Sequence, residues 1–175
     1  MRSLKWQNLV PTKEYKFEIS ILIKASKEAT FNAWTISEKM KNWWGPTGFD
    51  VAKCDIDLNY GGTNHYCLKT PEGMEMWGKS VYKEITPHDK LVFVNSFSDE
   101  NAAIVRNPFN PNWPLETITK LEFEEKDGQT ELRFTSNPIH ATDSEWEMFQ
   151  AAEQSMLMGW NGTLGRLKAY LENKK

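Results

Sequence analysis

Apolar and polar residues alternate from Tyr15 to Lys24, where YKFEISILIK sets Phe17, Ile19, Ile21 and Ile23 on one side. A period of two predicts a β-strand with one buried face. The period then lengthens. Ser26 precedes KEATFNAW, in which Ala29, Phe31 and Trp34 recur near helical spacing behind a serine suited to an N-cap. Ser37 opens a second short helix, SEKMKNWW. Strand patterns return in FDVAKCDIDL, TNHYCLK, MEMWGKSVYKEI and LVFVNSF, separated by the turn signals NYGG, TPEG and TPHDK. Closely spaced strands with no helix between them predict an antiparallel meander. An irregular segment, SDENAAIVRNPFNPNWP, interrupts it before ETITKLEFEE and TELRFTSN, which KDGQ joins as a hairpin.

The remainder reads as one helix of roughly 30 residues, about 45 Å long. Thr142 and Glu145 have the spacing of a capping box, and no proline follows before Leu171. Phe149, Met156, Trp160, Thr163, Leu164, Leu167 and Leu171 fall on one face, with Glu153 at its margin. Gly159 borders this stripe and is expected to permit a close contact. The order of elements predicts an α+β fold in which a curved antiparallel sheet wraps around the long C-terminal helix. Residues 1–14 form an N-terminal tail in this reading, and residues 15–175 a single domain.

The stretch KNWWGPTGF ends the second short helix, because Gly45-Pro46 cannot continue it. Adjacent helical positions point about 100° apart, so Trp43 and Trp44 cannot share one environment. Trp44 is expected to turn inward near an opening while Trp43 covers the helix against the sheet; the reverse assignment satisfies the same geometry.

Size and charge narrow the classes of function. A chain of 175 residues can bury a sizeable core, and eight Trp and nine Phe supply it. The net charge is −3 and no Lys or Arg run would track a phosphate backbone, so nucleic acid is not an expected partner. No segment has the length and apolarity of a membrane span or a signal peptide, which leads to the expectation of a cytoplasmic protein. Cys54 and Cys67 fall on opposite strand faces, where they cannot form a disulfide. His65, His88 and His140 lack metal-ligand spacing, so neither a metal nor a cofactor is expected.

FNAWTISEKMKNWWGPTGF, NYGG, VYKEITPHDKLVF and GWNGTLGRLKAYL together resemble the activator of heat-shock-protein-90 ATPase homologue family. RNPFNPNWPLE resembles a segment of a bacterial subgroup. The family is part of the START-related, birch-pollen-allergen-like superfamily, and the resemblance implies a helix-grip fold with a cavity between sheet and helix. It implies binding of a small apolar or amphipathic molecule as the leading function. Stimulation of a heat-shock-protein-90 chaperone, a role in stress response, is the alternative that the family implies. This chain is too short for the separate N-terminal domain of the eukaryotic activator.

Trp44, Phe49, Asn64, Tyr66, Met76, Tyr82, Glu84, Phe93, Trp113, Met156 and Trp160 are the expected ligand-binding residues. They either wall a pocket or fill the core, and Trp113 would belong to a proline-stiffened flap over the opening. Glu84 shares a strand face with Met74, Met76, Gly78, Ser80 and Tyr82 if no bulge intervenes, and is then the candidate acid or base for a cyclase or hydrolase. Glu153, at the margin of the helical stripe, is the second carboxylate considered for such a role, and binding without catalysis is the favoured reading. An exposed sheet edge leaves a homodimer open.

Overall fold

The computed structural model describes residues 6–9 and 13–173, so the expected tail lies partly outside them. The elements run β1 (Phe17–Ile23), α1 (Lys27–Thr35), α2 (Ser37–Met40), β2 (Asp50–Ile56), β3 (Thr63–Lys69), β4 (Glu75–Thr86), β5 (Lys90–Ser98) and β6 (Ile104–Val105). They continue with β7 (Glu116–Lys126), β8 (Gln129–Ile139), α3 (Asp143–Ala151) and α4 (Glu153–Glu172). The principal sheet order is β1-β8-β7-β5-β4-β3-β2, with β6 paired to β5. Every pairing is antiparallel, and the sheet curls into a half-barrel around the C-terminal helices. This is the α+β helix-grip architecture.

Local chemistry sets the element ends. The Ser26 hydroxyl caps α1 by accepting from the Ala29 amide at 3.1 Å, and Thr142 with Glu145 completes the capping box of α3. Asp127 and Gly128 both have positive φ in the two-residue turn between β7 and β8, where Lys126 pairs Gln129. That conformation matches the twist of the two strands.

Two features depart from simple alternation. Register shifts at Ala52 in β2 and at Lys83 in β4 each add one residue, which returns the following side chains to the opposite face. Consequently Val51 rather than Ala52 packs inward beside Cys54. The expected single C-terminal helix also divides at Ala152, whose ψ is 3°. Backbone hydrogen bonds still run from Ala152 to Met148 and from Met156 to Ala152, so the division is a bend between two helices.

The main core lies between the inner sheet face and the helices. Leu164 and Leu167 are 1% and 0% exposed, and burial of each contributes roughly 1.5–3 kcal/mol. A smaller core of Val92, Val94, Ile118 and Ile139 lies on the outer sheet face, where Trp6 and Leu9 of a short 3-10 helix pack over it. Cys54 lies in the inner core, one strand position removed in facing from Cys67, and both thiols are free. No helix among the described residues is long and apolar enough to cross a membrane.

Candidate ligand-binding site

The tryptophan pair separates core from cavity. Trp43 is fully buried; its indole N–H donates to the Ala33 carbonyl at 3.1 Å, and its ring centre is 4.8 Å from that of Trp34. Trp44 turns the other way, with ring centres 5.3 Å from Tyr66 and 5.9 Å from Trp160. The chain then breaks at Gly45, whose φ of +93° favours glycine and where a Cβ would meet Leu68 at 2.9 Å. Arg166 on α4 holds this break in place. Its Nη1 lies 3.3, 3.0, 2.8 and 3.0 Å from the carbonyl oxygens of Trp44, Gly45, Pro46 and Phe49. A rigid, permanently charged fork suits that cluster of acceptors.

Between sheet and helices lies a cavity of about 290 Å³, walled by Phe17, Trp44, Tyr66, Phe93, Phe97, Trp113, Phe134, Phe149, Met156 and Trp160. A second space of about 200 Å³ shares Tyr66, Phe97 and Trp113 with it and extends past Met76 and Gly78. A third, of about 230 Å³, shares Trp44, Met156 and Trp160 and reaches Gly45, Pro46 and Gly159. No Cβ contact within 4 Å exists at Gly159, so its expected close packing is replaced by open space; Gly162, not Gly159, faces Thr47. None of the described residues lining the three spaces is charged. The apolar stripe of α4 explains its own division here: Leu164, Leu167 and Leu171 fill the core, while Met156 and Trp160 stay partly exposed at the cavity.

A polar row crosses the cavity floor. The Ser80 hydroxyl donates to Asn95 Oδ1 at 2.8 Å, the Asn95 amide donates to Thr119 Oγ1 at 2.8 Å, and Thr119 donates to Ser136 Oγ at 3.3 Å. These residues come from β4, β5, β7 and β8, and Asn95, Thr119 and Ser136 line the 290 Å³ space together with Thr117 and Asn107. Strand register joins Ser80 to Asn95 and Thr119 to Ser136 directly. Tyr66 lines the same space, and burial pushes its phenol pKa up to about 12, with a smaller contribution from Cys54. The phenol therefore keeps its proton throughout the neutral range.

The expected residues distribute unevenly around this space. Trp44, Tyr66, Met76, Phe93, Trp113, Met156 and Trp160 line it. Asn64 and Tyr82 border only a residual gap of about 10 Å³ beneath it, together with Trp34 and Met40. Asn64 is satisfied there, donating to Met40 Sδ at 3.3 Å and accepting from Cys54 Sγ at 3.7 Å. Phe49 packs on the core without lining the cavity and presents its carbonyl to Arg166.

Glu84 is corrected most strongly. The bulge between Tyr82 and Glu84 turns the carboxylate to the outer sheet face, where it accepts from Lys90 at 2.9 Å and from the Trp6 indole. Burial acts to raise its pKa, but the hydrogen bonds from Lys90 and Trp6 prevail and leave it below the ordinary carboxylate value. Glu153 is exposed and also lies outside the cavity lining. Conversely, Asn95, Thr117, Thr119 and Ser136 were not among the expected residues. Their only sequence signal is a small polar side chain at an inward position of an otherwise apolar alternation.

The irregular segment between β5 and β7 covers one side of the cavity through Trp113, whose ring centre lies 5.4 Å from that of Phe149. Arg106 fastens this flap. Its Nη1 donates to Glu145 Oε1 and approaches the Trp113 carbonyl at 3.3 Å, while Glu145 also receives the Thr142 amide at 2.9 Å. The Thr142 backbone N–H, followed by Arg106, holds the Glu145 carboxyl below its ordinary value. Among the described residues, no group of three His, Cys, Asp or Glu side chains is arranged to hold a metal ion.

A curled sheet gripping a C-terminal helix over an apolar, uncharged cavity defines a START-like helix-grip domain. The profile of the Activator of Hsp90 ATPase homolog 1-like family matches residues 24–172, and the chain belongs to that family. A solution structure from Arthrobacter aurescens is similar to it, with a TM-score of 0.76 and 21% identity over 95% of this chain and 93% of the other. Protein NE0264 from Nitrosomonas europaea gives a TM-score of 0.72 and 20% identity over 95% of this chain and 100% of that one. An AHSA1 protein from Silicibacter pomeroyi gives 0.68 and 18%, over 90% and 98% of the two chains. At these identities the structural likeness establishes the fold alone. No curated protein matches the sequence.

Proposed function

We propose that this protein binds a small apolar or amphipathic molecule in the space between its sheet and C-terminal helix. The carrying observation is the combination of aromatic walls with a hydrogen-bonded polar row on the floor of one uncharged cavity. Apolar surface supplies binding energy and a few placed polar groups supply orientation. The space beside Trp44, Met156 and Trp160 supports this reading over one in which the aromatic residues only fill the core. Two free thiols suit a reducing compartment, and the proposal places the protein in the cytoplasm.

The cyclase or hydrolase reading needs a carboxylate in the cavity, and its candidate, Glu84, faces Lys90 and Trp6 on the other side of the sheet. The chaperone reading rests on the family description alone. Native mass spectrometry of the purified protein tests the binding proposal. A reproducible added mass that is released on denaturation supports it, and identification of the released molecule names the ligand class. A clean unliganded mass, joined to failure of the protein to bind any of a panel of small apolar compounds, overturns it.

A further inference from the structure

We infer that the cavity selects an uncharged molecule carrying an oxygen acceptor, such as a carbonyl or ether, and seats that oxygen over Thr119, between Asn95 and Ser136 of the polar row. This inference rests on the small-molecule reading above and specifies its chemistry.

The direction of the hydrogen bonds carries the argument. Ser80 spends its hydroxyl hydrogen on Asn95, and Thr119 spends its own on Ser136. The Asn95 amide spends one of two hydrogens on Thr119. Among the described residues, one hydroxyl hydrogen on Ser136 and one amide hydrogen on Asn95 therefore stay unspent, on either side of Thr119. Ser136 is only 7% exposed, so bulk water does not readily take that hydrogen. An amide N–H can only donate. A ligand that left these two hydrogens unmet would forfeit the hydrogen bonds that water or a matching group provides.

Charge narrows the class further. An anionic headgroup would satisfy these donors, but the lining contains no cation to offset its desolvation. The two nearest arginine anchors are committed elsewhere: Arg106 to Glu145 and Arg166 to four backbone carbonyls. A cation would find no carboxylate among the described lining residues to offset its own desolvation. A neutral acceptor on an apolar body meets the donors without a charge penalty.

Three naphthalenes of similar shape separate these possibilities by calorimetric titration near neutral pH: 2-acetylnaphthalene, 2-ethylnaphthalene and 2-naphthoate. The ketone is expected to bind about five- to tenfold tighter than the ethyl compound, the range of one net hydrogen bond, and naphthoate more weakly than either. In Ser136→Ala the ketone should fall toward the affinity of the ethyl compound, whose own binding stays unchanged. Equal binding of ketone and ethyl compound overturns the acceptor inference while leaving the cavity reading intact, and so does tightest binding of naphthoate. Binding of none of the three counts against both. If Ser136→Ala does not fold, the three-compound series on the unaltered chain decides by itself.

Discussion

The phenol of Tyr66 occupies the space in which a side chain at residue 78 would stand. The two residues are cross-strand partners, and a Cβ built on Gly78 would meet Tyr66 Oη at 2.3 Å and Cζ at 2.4 Å. Gly78 does not have a positive φ, so glycine is required there for space rather than for backbone conformation. Gly78→Ala should push the Tyr66 ring into the cavity. Overpacking of this kind costs about 1–3 kcal/mol, read by chemical denaturation. The accompanying change should be loss of small-molecule binding in a folded protein. A Gly78→Ala variant that binds as the parent does would show that Tyr66 does not control the space.

Arg166 offers one guanidinium nitrogen to four carbonyl oxygens, so its two hydrogens are shared among the loop from Trp44 to Phe49. Arg166→Met keeps much of the apolar stem and removes the donors. We expect a loss of about 2 kcal/mol, in the range for hydrogen bonds to a charged group, together with faster amide exchange at residues 44–49. Arg166→Lys should recover only part of it, because an ammonium cannot reproduce the planar fork. Unchanged amide exchange in Arg166→Met would remove the arginine's role as the loop's anchor.

The Arg106 and Glu145 pair gives the flap a pH dependence of definite sign. The folded-state pKa of Glu145 lies below its ordinary value of 4.5, because the charged form receives the Thr142 amide and Arg106. Its contribution to stability is therefore fully present above pH 4.5 and is lost as pH falls below that value through the folded pKa. Tryptophan fluorescence of the flap and α3, from Trp113 and Trp146, should change in that acid range. Glu145→Gln should show the altered signal already at neutral pH and lose the acid step.

Glu84 provides a control outside the cavity. Glu84→Gln should leave the affinity of a neutral ligand unchanged and reduce stability by about 0.5–1 kcal/mol, as expected for a partly exposed ion pair. Nuclear magnetic resonance should locate the accompanying shifts at Trp6, Thr86 and Lys90, its partners. A clear change in ligand affinity would argue that the outer face and cavity are coupled.

What could be read along the chain was whatever depends on near neighbours in sequence. Alternation at Phe17, Ile19, Ile21 and Ile23, the Thr142 and Glu145 cap, the Asp127-Gly128 turn and the α4 stripe are local relationships, so they determined the main elements, their order and a curved sheet around a C-terminal helix, though not β6 or the division at Ala152. The tertiary structure decided matters that depend on register. One extra residue before Glu84 reverses its facing, because strand side chains have a period of two. The row from Ser80 to Ser136 exists only because four strands align residues distant in sequence. Likewise, Arg166 looks like an ordinary helical cation until the fold carries four carbonyls within its reach. The apolar lining was partly legible because large aromatics mark inward faces. Whether they meet or leave a space depends on how far sheet and helix stand apart, a distance set by all the packing contacts together and written in no single segment.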